Sequence, residues 1–311
     1  MYNFSMNIKD LAKKYTTLVI IGMCKNAGKT TALNLLLSQK NLAITSVGLD
    51  GETIDAVTGT QKPRIFVKKD TLVATTTSLL NNCTVSKEIL MTTGISSPIG
   101  EIVIFKAIDD GFVEIAGPSI TADLVKLKKI FFNLGAKRII IDGALSRKSI
   151  SSPKIADGAI LATGASYNKD INKVVADTAH IIKLYNLPTL SFPPIESCDL
   201  LKTIQEGNCK VFVSGALTET ELKSICAKKA VSSITIGVED ASKILASKDT
   251  LSLFFARGGK IEVKNKVKIF AVTINPYSPY GWEFDKNILK VEMSKYIDLP
   301  IINAMEENNE F

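Results

Sequence analysis

The sequence predicts an α/β protein in which a parallel sheet carries helices on both faces and a second, smaller α/β domain follows. Apolar runs of strand length alternate with amphipathic segments of helix length through most of the chain. The alternation stops at a proline-rich stretch near residue 193 and then restarts. With 311 residues, of which 46% are hydrophobic, the chain can form the cores of two domains.

The first predicted domain spans residues 1–194. Its first strand, at 17–22, is apolar and β-branched, and a glycine-containing turn joins it to an amphipathic helix at 30–37. Further strands are predicted at 43–48, 138–141 and 158–162, and further helices at 121–134 and 171–182. Strands separated by helices favour right-handed parallel crossovers, so this order predicts a parallel sheet.

One segment of the first domain, residues 71–116, is β-rich instead of alternating. Runs at 101–107 and 112–116 flank Asp109-Asp110-Gly111, a sequence typical of a tight turn. We therefore predict a β-hairpin insertion at the edge of the sheet.

The second predicted domain spans residues 195–311. Its strands are predicted at 210–214, 233–238 and 267–274, its helices at 220–229, 241–248 and 286–296, and a short apolar run closes the chain at 299–302. The phosphate-binding turn described below has no second copy here, which predicts one nucleotide site per chain.

Composition argues against several classes of function. The apolar runs are far shorter than the roughly 20 residues of a membrane helix, and residues 1–10 lack the pattern of a secretory signal, so a cytoplasmic protein is expected. Five scattered cysteines and one histidine indicate neither a disulfide framework nor a zinc site. Only four of the 38 basic residues are arginine and the lysines are dispersed, which argues against nucleic-acid binding despite a net charge of +7.

A phosphate-binding turn is predicted in the sequence GMCKNAGKTT at 22–31. Successive backbone N–H groups can curl around an anion there, and the following helix directs its positive end at the same point. Lys29 would supply the cation for the β and γ phosphates, and the Thr30 hydroxyl would bind Mg²⁺. The predicted nucleotide-binding residues are Lys25, Asn26, Ala27, Gly28, Lys29, Thr30 and Thr31. ATP is favoured over GTP, because the chain has no Asn-Lys-x-Asp motif that reads guanine.

Three carboxylates are candidates for the chemistry beside this turn. Asp142 ends the strand at 138–141, where P-loop folds place a carboxylate that binds Mg²⁺ or orients water. Asp50 and Glu52 follow the second strand, although Asp50-Gly51 is also an ordinary turn sequence. The catalytic candidates are thus Lys29, Asp142 and Asp50. The candidates for binding the metal are Thr30, Asp50, Glu52 and Asp142. Lys25 either reaches phosphate in its own site, reaches it in a second copy within a homodimer, or is solvated.

The spacing of the turn is unusual, since five residues separate Gly22 from Gly28 where four are standard. It resembles that of the dethiobiotin synthetase and cobyrinate amidase branch of P-loop proteins. That resemblance implies that an acidic group after the second strand helps to hold Mg²⁺ or to position an acceptor.

The chain as a whole resembles a more particular family, on the motifs GMCKNAGKTT (22–31), SVGLDGE (46–52), IIDGA (140–144), GAILATGA (158–165) and NPYSPYG (275–281). These resemble the P-loop accessory protein associated with clostridial lysine 5,6-aminomutase and ornithine 4,5-aminomutase. The resemblance implies a reactivating factor in lysine degradation, in which ATP drives the exchange of damaged cobalamin for adenosylcobalamin. Its implied partners are the aminomutase subunits and a MutS-like ATPase. The chain has no Asp-x-His-x-x-Gly motif, so it should act on the enzyme without itself binding cobalamin through a histidine.

Two other classes stay open. A ligase or kinase of the dethiobiotin synthetase type would activate a small carboxylate as an acyl phosphate, with Asp50 or Glu52 near the acceptor. A small GTPase or metallochaperone is less favoured. Because the second domain shows no cluster typical of a catalytic centre, we expect low intrinsic ATPase activity that depends on a protein partner.

Overall fold

The chain folds as an α/β protein with a large, mostly parallel sheet flanked by helices. The computed structural model describes residues 7–48, 64–143, 154–193, 196–197, 200–205, 209–227 and 231–307. Two compact units are present. The first comprises Met1–Ile150, Lys154–Ala179 and Ile269–Phe311, and the second comprises Ser151–Pro153 and His180–Lys268.

The strands are β1 (Thr17–Gly22), β2 (Leu42–Ser46), β3 (Ile65–Val67), β4 (Leu72–Thr76), β5 (Lys87–Ser97), β6 (Gly100–Ala107), β7 (Gly111–Val113), β8 (Arg138–Asp142), β9 (Gly158–Gly164), β10 (Glu196–Ser197), β11 (Lys210–Val213), β12 (Thr235–Val238), β13 (Lys260–Val263), β14 (Lys268–Asn275) and β15 (Ile301–Asn303). The helices are α1 (Ile8–Ala12), α2 (Lys29–Leu36), α3 (Thr121–Asn133), α4 (Ile171–Tyr185), α5 (Leu200–Gln205), α6 (Glu219–Cys226), α7 (Lys248–Ala256), α8 (Lys286–Ser294) and α9 (Ala304–Glu307). None of the helices in the described ranges is long and apolar enough to cross a membrane.

The large sheet has nine strands in the order β15-β14-β9-β1-β8-β2-β4-β6-β5. β1 lies in the interior of the sheet and pairs in parallel with β8 and β9, so that Val19 lies between Ile141 and Ala159. All six residues of β1 are buried, as expected for a parallel strand covered on both faces. α2 buries Ala32, Leu33, Leu35 and Leu36 in the same hydrophobic core.

The second unit contains a parallel sheet in the order β10-β11-β12-β13, with α5, α6 and α7 as its crossovers. α6 begins with a capping box: the Glu221 N–H donates to Thr218 Oγ1 at 3.3 Å, and the Thr218 N–H donates to the Glu221 carboxylate at 2.9 Å. This satisfies two N–H groups that would otherwise be unpaired at the helix start.

The division into units differs from the predicted one at 194/195. The chain leaves the first unit after Ala179 and returns to it at Ile269. β14 and β15 are therefore strands of the large sheet, with β14 next to β9 and β15 at the edge. β14 is as apolar as the strands of the smaller sheet, and hydrophobic pattern alone does not say which sheet a strand joins.

The β-rich segment lies at the edge of the large sheet and contains an antiparallel hairpin, as predicted, but β5 and β6 form that hairpin, so the expected pairing of 101–107 with 112–116 is wrong. β6 pairs in antiparallel fashion with β5 and β4, whereas β7 pairs with β3. The two aspartates instead act as caps: Asp109 accepts from the Ser86 N–H, and Asp110 accepts from the Lys69 N–H, each at 2.8 Å. An Asp-Asp-Gly sequence suits such loop capping as well as a tight turn.

The predicted helix at 241–248 is also wrong. Ala241–Lys243 forms a single 3₁₀ turn, and the helix of this region is α7, which begins at Lys248. Ser247 caps α7 by accepting from the Thr250 N–H at 3.3 Å. A serine at this position favours a helix start over a helix end.

Candidate phosphate-binding site

The predicted turn connects β1 to α2 and occupies residues 23–28. It lies at the carboxyl end of β1, next to the carboxyl ends of β8 and β9. Ligands of open α/β sheets bind at this edge, where loops from neighbouring strands converge. The strand–turn–helix context required of a phosphate-binding loop is therefore present.

Two residues of the turn have a left-handed backbone, Asn26 with φ of 59° and Gly28 with φ of 90°. Gly28 stands at the N-cap of α2 and has no side chain with which to cap it. Backbone N–H groups at the start of α2 consequently keep their capacity to bind an anion, supported by the helix dipole.

Lys29 lies across the turn and reaches the neighbouring strand. Its Nζ donates to the Gly143 carbonyl at 2.8 Å and lies 3.7 Å from Asp142 Oδ1. The stem passes directly over Gly22, where an added Cβ would lie 2.9 Å from Lys29 Cγ and Cδ. A glycine at position 22 thus leaves room for the lysine stem.

Asp142 is the last residue of β8 and lies in register with Ile20 of β1 and Ser46 of β2. Its side chain is 11% exposed, and that of Lys29 is 18% exposed. Little water separates such groups, so their attraction is stronger than that of a surface ion pair. The structure accordingly brings together two of the three catalytic candidates.

The remaining candidates have varied positions. Thr30 and Thr31 lie partly exposed in the first turn of α2, Ala27 is buried, and Lys25 is exposed. Asp50 and Glu52 lie outside the described residues.

Two of the predicted metal candidates in the described ranges, Thr30 and Asp142, offer oxygen donors. Within the described ranges, no three His, Cys, Asp or Glu side chains converge on one point. Mg²⁺ prefers oxygen ligands and usually keeps several waters while contacting one or two carboxylates and substrate phosphates. The Thr30 hydroxyl and the Asp142 carboxylate are oxygen donors of that kind.

Two residues at the turn were missed by sequence reasoning. Asn275, at the end of β14, donates from Nδ2 to the Asn26 carbonyl at 3.2 Å, and Ser166, after β9, donates from Oγ to the same carbonyl at 3.1 Å. Both belong to or adjoin motifs that carried the family resemblance, at 158–165 and 275–281, but those motifs did not indicate this contact.

Gly164 permits the close approach of β9 to β14. Its φ is +152°, and an added Cβ would lie 1.9 Å from the Asn275 carbonyl oxygen, which accepts from the Ala165 N–H at 2.9 Å.

We expect Gly164→Ala to lower the free energy of unfolding by about 3 kcal/mol, measured by urea denaturation. The cost of the unfavourable φ and the cost of the clash with the Asn275 backbone both contribute to this loss. Gly94→Ala is the matched control. It also has positive φ but open space around the added Cβ, and should cost about 1 kcal/mol. Equal losses of unfolding free energy in Gly164→Ala and Gly94→Ala would contradict a backbone clash at position 164.

Cys24 lies half-buried in the turn. Burial raises the pKa of its thiol to about 11, and the nearby Lys29 charge opposes this only in part. A raised pKa means that the Cys24 thiol is protonated, with roughly one molecule per thousand carrying the thiolate at pH 8.

We therefore expect iodoacetamide at pH 8 to modify exposed Cys209 well before Cys24, as measured by peptide mass spectrometry. Labelling of Cys24 should accelerate about tenfold per pH unit up to its pKa. Rapid labelling of Cys24 at pH 7 would contradict this.

Known proteins give no independent assignment. No protein-family model, curated protein or solved structure matches this chain. A function is therefore inferred from the geometry of the turn, from the chemistry of the residues around it and from the motifs of the sequence.

Proposed function

We propose that the chain binds ATP·Mg²⁺ at the turn between β1 and α2 and serves as a reactivating component for an adenosylcobalamin-dependent aminomutase. The observation that carries the nucleotide site is the convergence of Lys29 Nζ and Asp142 Oδ1, 3.7 Å apart, beside the start of α2. The aminomutase role rests on the resemblance of the five motifs at 22–31, 46–52, 140–144, 158–165 and 275–281.

Lys29 is suited to exchange a backbone partner for a phosphate. In the present structure its ammonium group donates to the Gly143 carbonyl, a neutral acceptor. A phosphate oxygen is a stronger acceptor for the same group, because the hydrogen bond is then charge-assisted on both sides. Bound Mg²⁺ would supply further neutralisation of phosphate charge, with Thr30 and Asp142 as protein ligands.

The carboxylates described in the second unit bond mainly to their own fold. Glu219 accepts from the Ser247 N–H and Thr250 Oγ1, each at 2.6 Å, and Glu262 accepts from the Ser191 N–H at 2.7 Å. Glu239 accepts from Asn265 Nδ2 at 2.6 Å. Groups engaged in this way are poorly placed to act as acids or bases on a small substrate, which favours a protein partner as the recipient of nucleotide energy.

Apolar side chains are exposed in the part of the first unit that follows Asn275 in sequence. Tyr277 and Tyr280 follow Asn275 and are 54% and 43% exposed, and α8 exposes Ile288 and Val291 by more than half. Exposed aromatic and aliphatic side chains are the usual anchors of protein–protein contacts. Their position in the first unit supports a partner that responds to nucleotide.

The test is to measure phosphate release by the purified chain alone, and then with an inactivated aminomutase, adenosylcobalamin and the MutS-like ATPase. We expect slow release alone, and recovery of mutase activity that requires both ATP and Lys29. Lys29→Ala is the matched control, and it should abolish recovery. Fast turnover on a small carboxylic acid without a protein partner would reject reactivation in favour of a ligase of the dethiobiotin synthetase type.

A further inference from the structure

The carbonyl of Asn26 in the phosphate turn receives two side-chain hydrogen bonds from distant parts of the chain. Ser166 Oγ donates to it at 3.1 Å across 140 residues of sequence, and Asn275 Nδ2 donates to it at 3.2 Å across 249 residues. Ser166 follows β9, whereas Asn275 is the last residue of β14. The turn is thus held from outside its own sequence.

Each donor is itself fixed in place. Asn275 Oδ1 accepts from the Tyr277 N–H at 3.1 Å, and the Asn275 carbonyl accepts from the Ala165 N–H at 2.9 Å. Ser166 is only 8% exposed, and its Oγ lies closer to the Asn26 carbonyl than to that of Tyr277, which is 3.4 Å away. Anchored donors lose little conformational entropy when they bind, so they restrain the turn effectively.

Peptide geometry transmits this restraint to a backbone donor of the turn. In a trans peptide the C=O and N–H groups point in opposite directions, and the described chain contains no cis peptide. Holding the Asn26 carbonyl toward Ser166 and Asn275 therefore directs the Ala27 N–H away from them. Asn26 also has the left-handed φ that is unfavourable for a residue with a Cβ, and the two hydrogen bonds help to offset that cost.

We propose that Ser166 and Asn275 are positioning residues for the nucleotide site, which orient the Ala27 N–H toward bound phosphate by holding the Asn26 carbonyl. Neither side chain needs to touch the nucleotide. Their effect arises because phosphate is bound most tightly by N–H groups that already point at it before binding. This inference rests on the proposed ATP site and adds to it the residues that shape the turn.

The experiment compares MgATP affinity of the full chain with that of Ser166→Ala, by calorimetry and by the fluorescence of Trp282, the chain's single tryptophan. Trp282 is a local reporter, since its Nε1 donates to the Ala165 carbonyl at 2.9 Å. Ser166→Ala should weaken MgATP binding about threefold to tenfold, the effect of one lost hydrogen bond. Ser166→Thr keeps the hydroxyl and should restore binding.

Two further variants keep the result interpretable. Ser97→Ala removes a comparable serine-to-carbonyl bond, to Gly100 in the β5–β6 hairpin, and should leave binding unchanged. Asn275→Asp keeps the acceptor for Tyr277 but replaces the donor, and should weaken binding at least as much as Ser166→Ala. Wild-type affinity in both Ser166→Ala and Asn275→Asp overturns the positioning role while leaving the nucleotide site standing. If the unaltered chain fails to bind MgATP, or Lys29→Ala binds it equally well, the proposed function is overturned and the positioning role with it.

Discussion

Lys29→Ala should weaken MgATP binding by about tenfold to 150-fold, which corresponds to the roughly 1.5 to 3 kcal/mol of a charge-assisted hydrogen bond. The lysine stem lies over Gly22 and its ammonium group reaches the end of β8, so no other side chain of the described turn occupies the same position. Calorimetric titration of MgATP measures the effect.

Two controls separate lost binding from lost packing. Lys29→Met keeps the aliphatic stem over Gly22 and removes only the charge, so it should lose as much affinity as Lys29→Ala while retaining more stability. Lys40→Ala removes an exposed lysine beyond the end of α2 and should bind MgATP like the unaltered chain. Unchanged affinity in Lys29→Ala would rule out the turn as the nucleotide site.

Asp142→Asn should reduce Mg²⁺-dependent ATP hydrolysis by about a hundredfold, within the range expected when a positioned acid–base or metal-binding carboxylate is lost. Asparagine keeps the shape of the side chain at the end of β8 but removes its charge, so the melting temperature should change by only a few degrees. Because turnover of the chain alone is expected to be slow, single-turnover phosphate release is the appropriate measurement.

Asp157→Asn is the control variant, and we expect it to lower stability without affecting hydrolysis. Asp157 accepts from the N–H groups of Thr16 and Thr17, each at 3.0 Å, at the start of β1. Its replacement should lower stability by about 1 kcal/mol and leave hydrolysis intact. If Asp142→Asn behaves like Asp157→Asn, the carboxylate at the end of β8 is structural.

The positions of most strands could be predicted, because the residue pattern that favours a strand extends over only a few neighbouring residues. The runs of β1, β8 and β9 are mostly apolar, as expected of buried parallel strands, and the structure places strands at all three. Pairing was less predictable. The partner of β6 depends on β5, an eleven-residue strand that the β-rich pattern did not separate from its surroundings.

Part of the candidate site could likewise be predicted from the sequence and part could not. The turn could be recognised because its requirements are local: a strand end, a glycine at the N-cap and a lysine at the start of a helix. Asp142 could be predicted because a carboxylate at the end of a buried strand lies at the binding edge of a parallel sheet. Ser166 and Asn275 gave no comparable signal, since a serine after a strand and an asparagine at a strand end are ordinary residues for the start of a turn.

By itself, the sequence determined the alternation of strands and helices, the glycine-containing turn between β1 and α2, and the burial of the central strands, because side-chain periodicity and turn chemistry act over a few residues. Only the tertiary structure decided that β14 returns to the large sheet, that Lys29 lies 3.7 Å from Asp142, and that Asn275 reaches Asn26. Those contacts depend on which strand ends become neighbours. Strand order results from packing the whole chain at once, and local preference does not encode it.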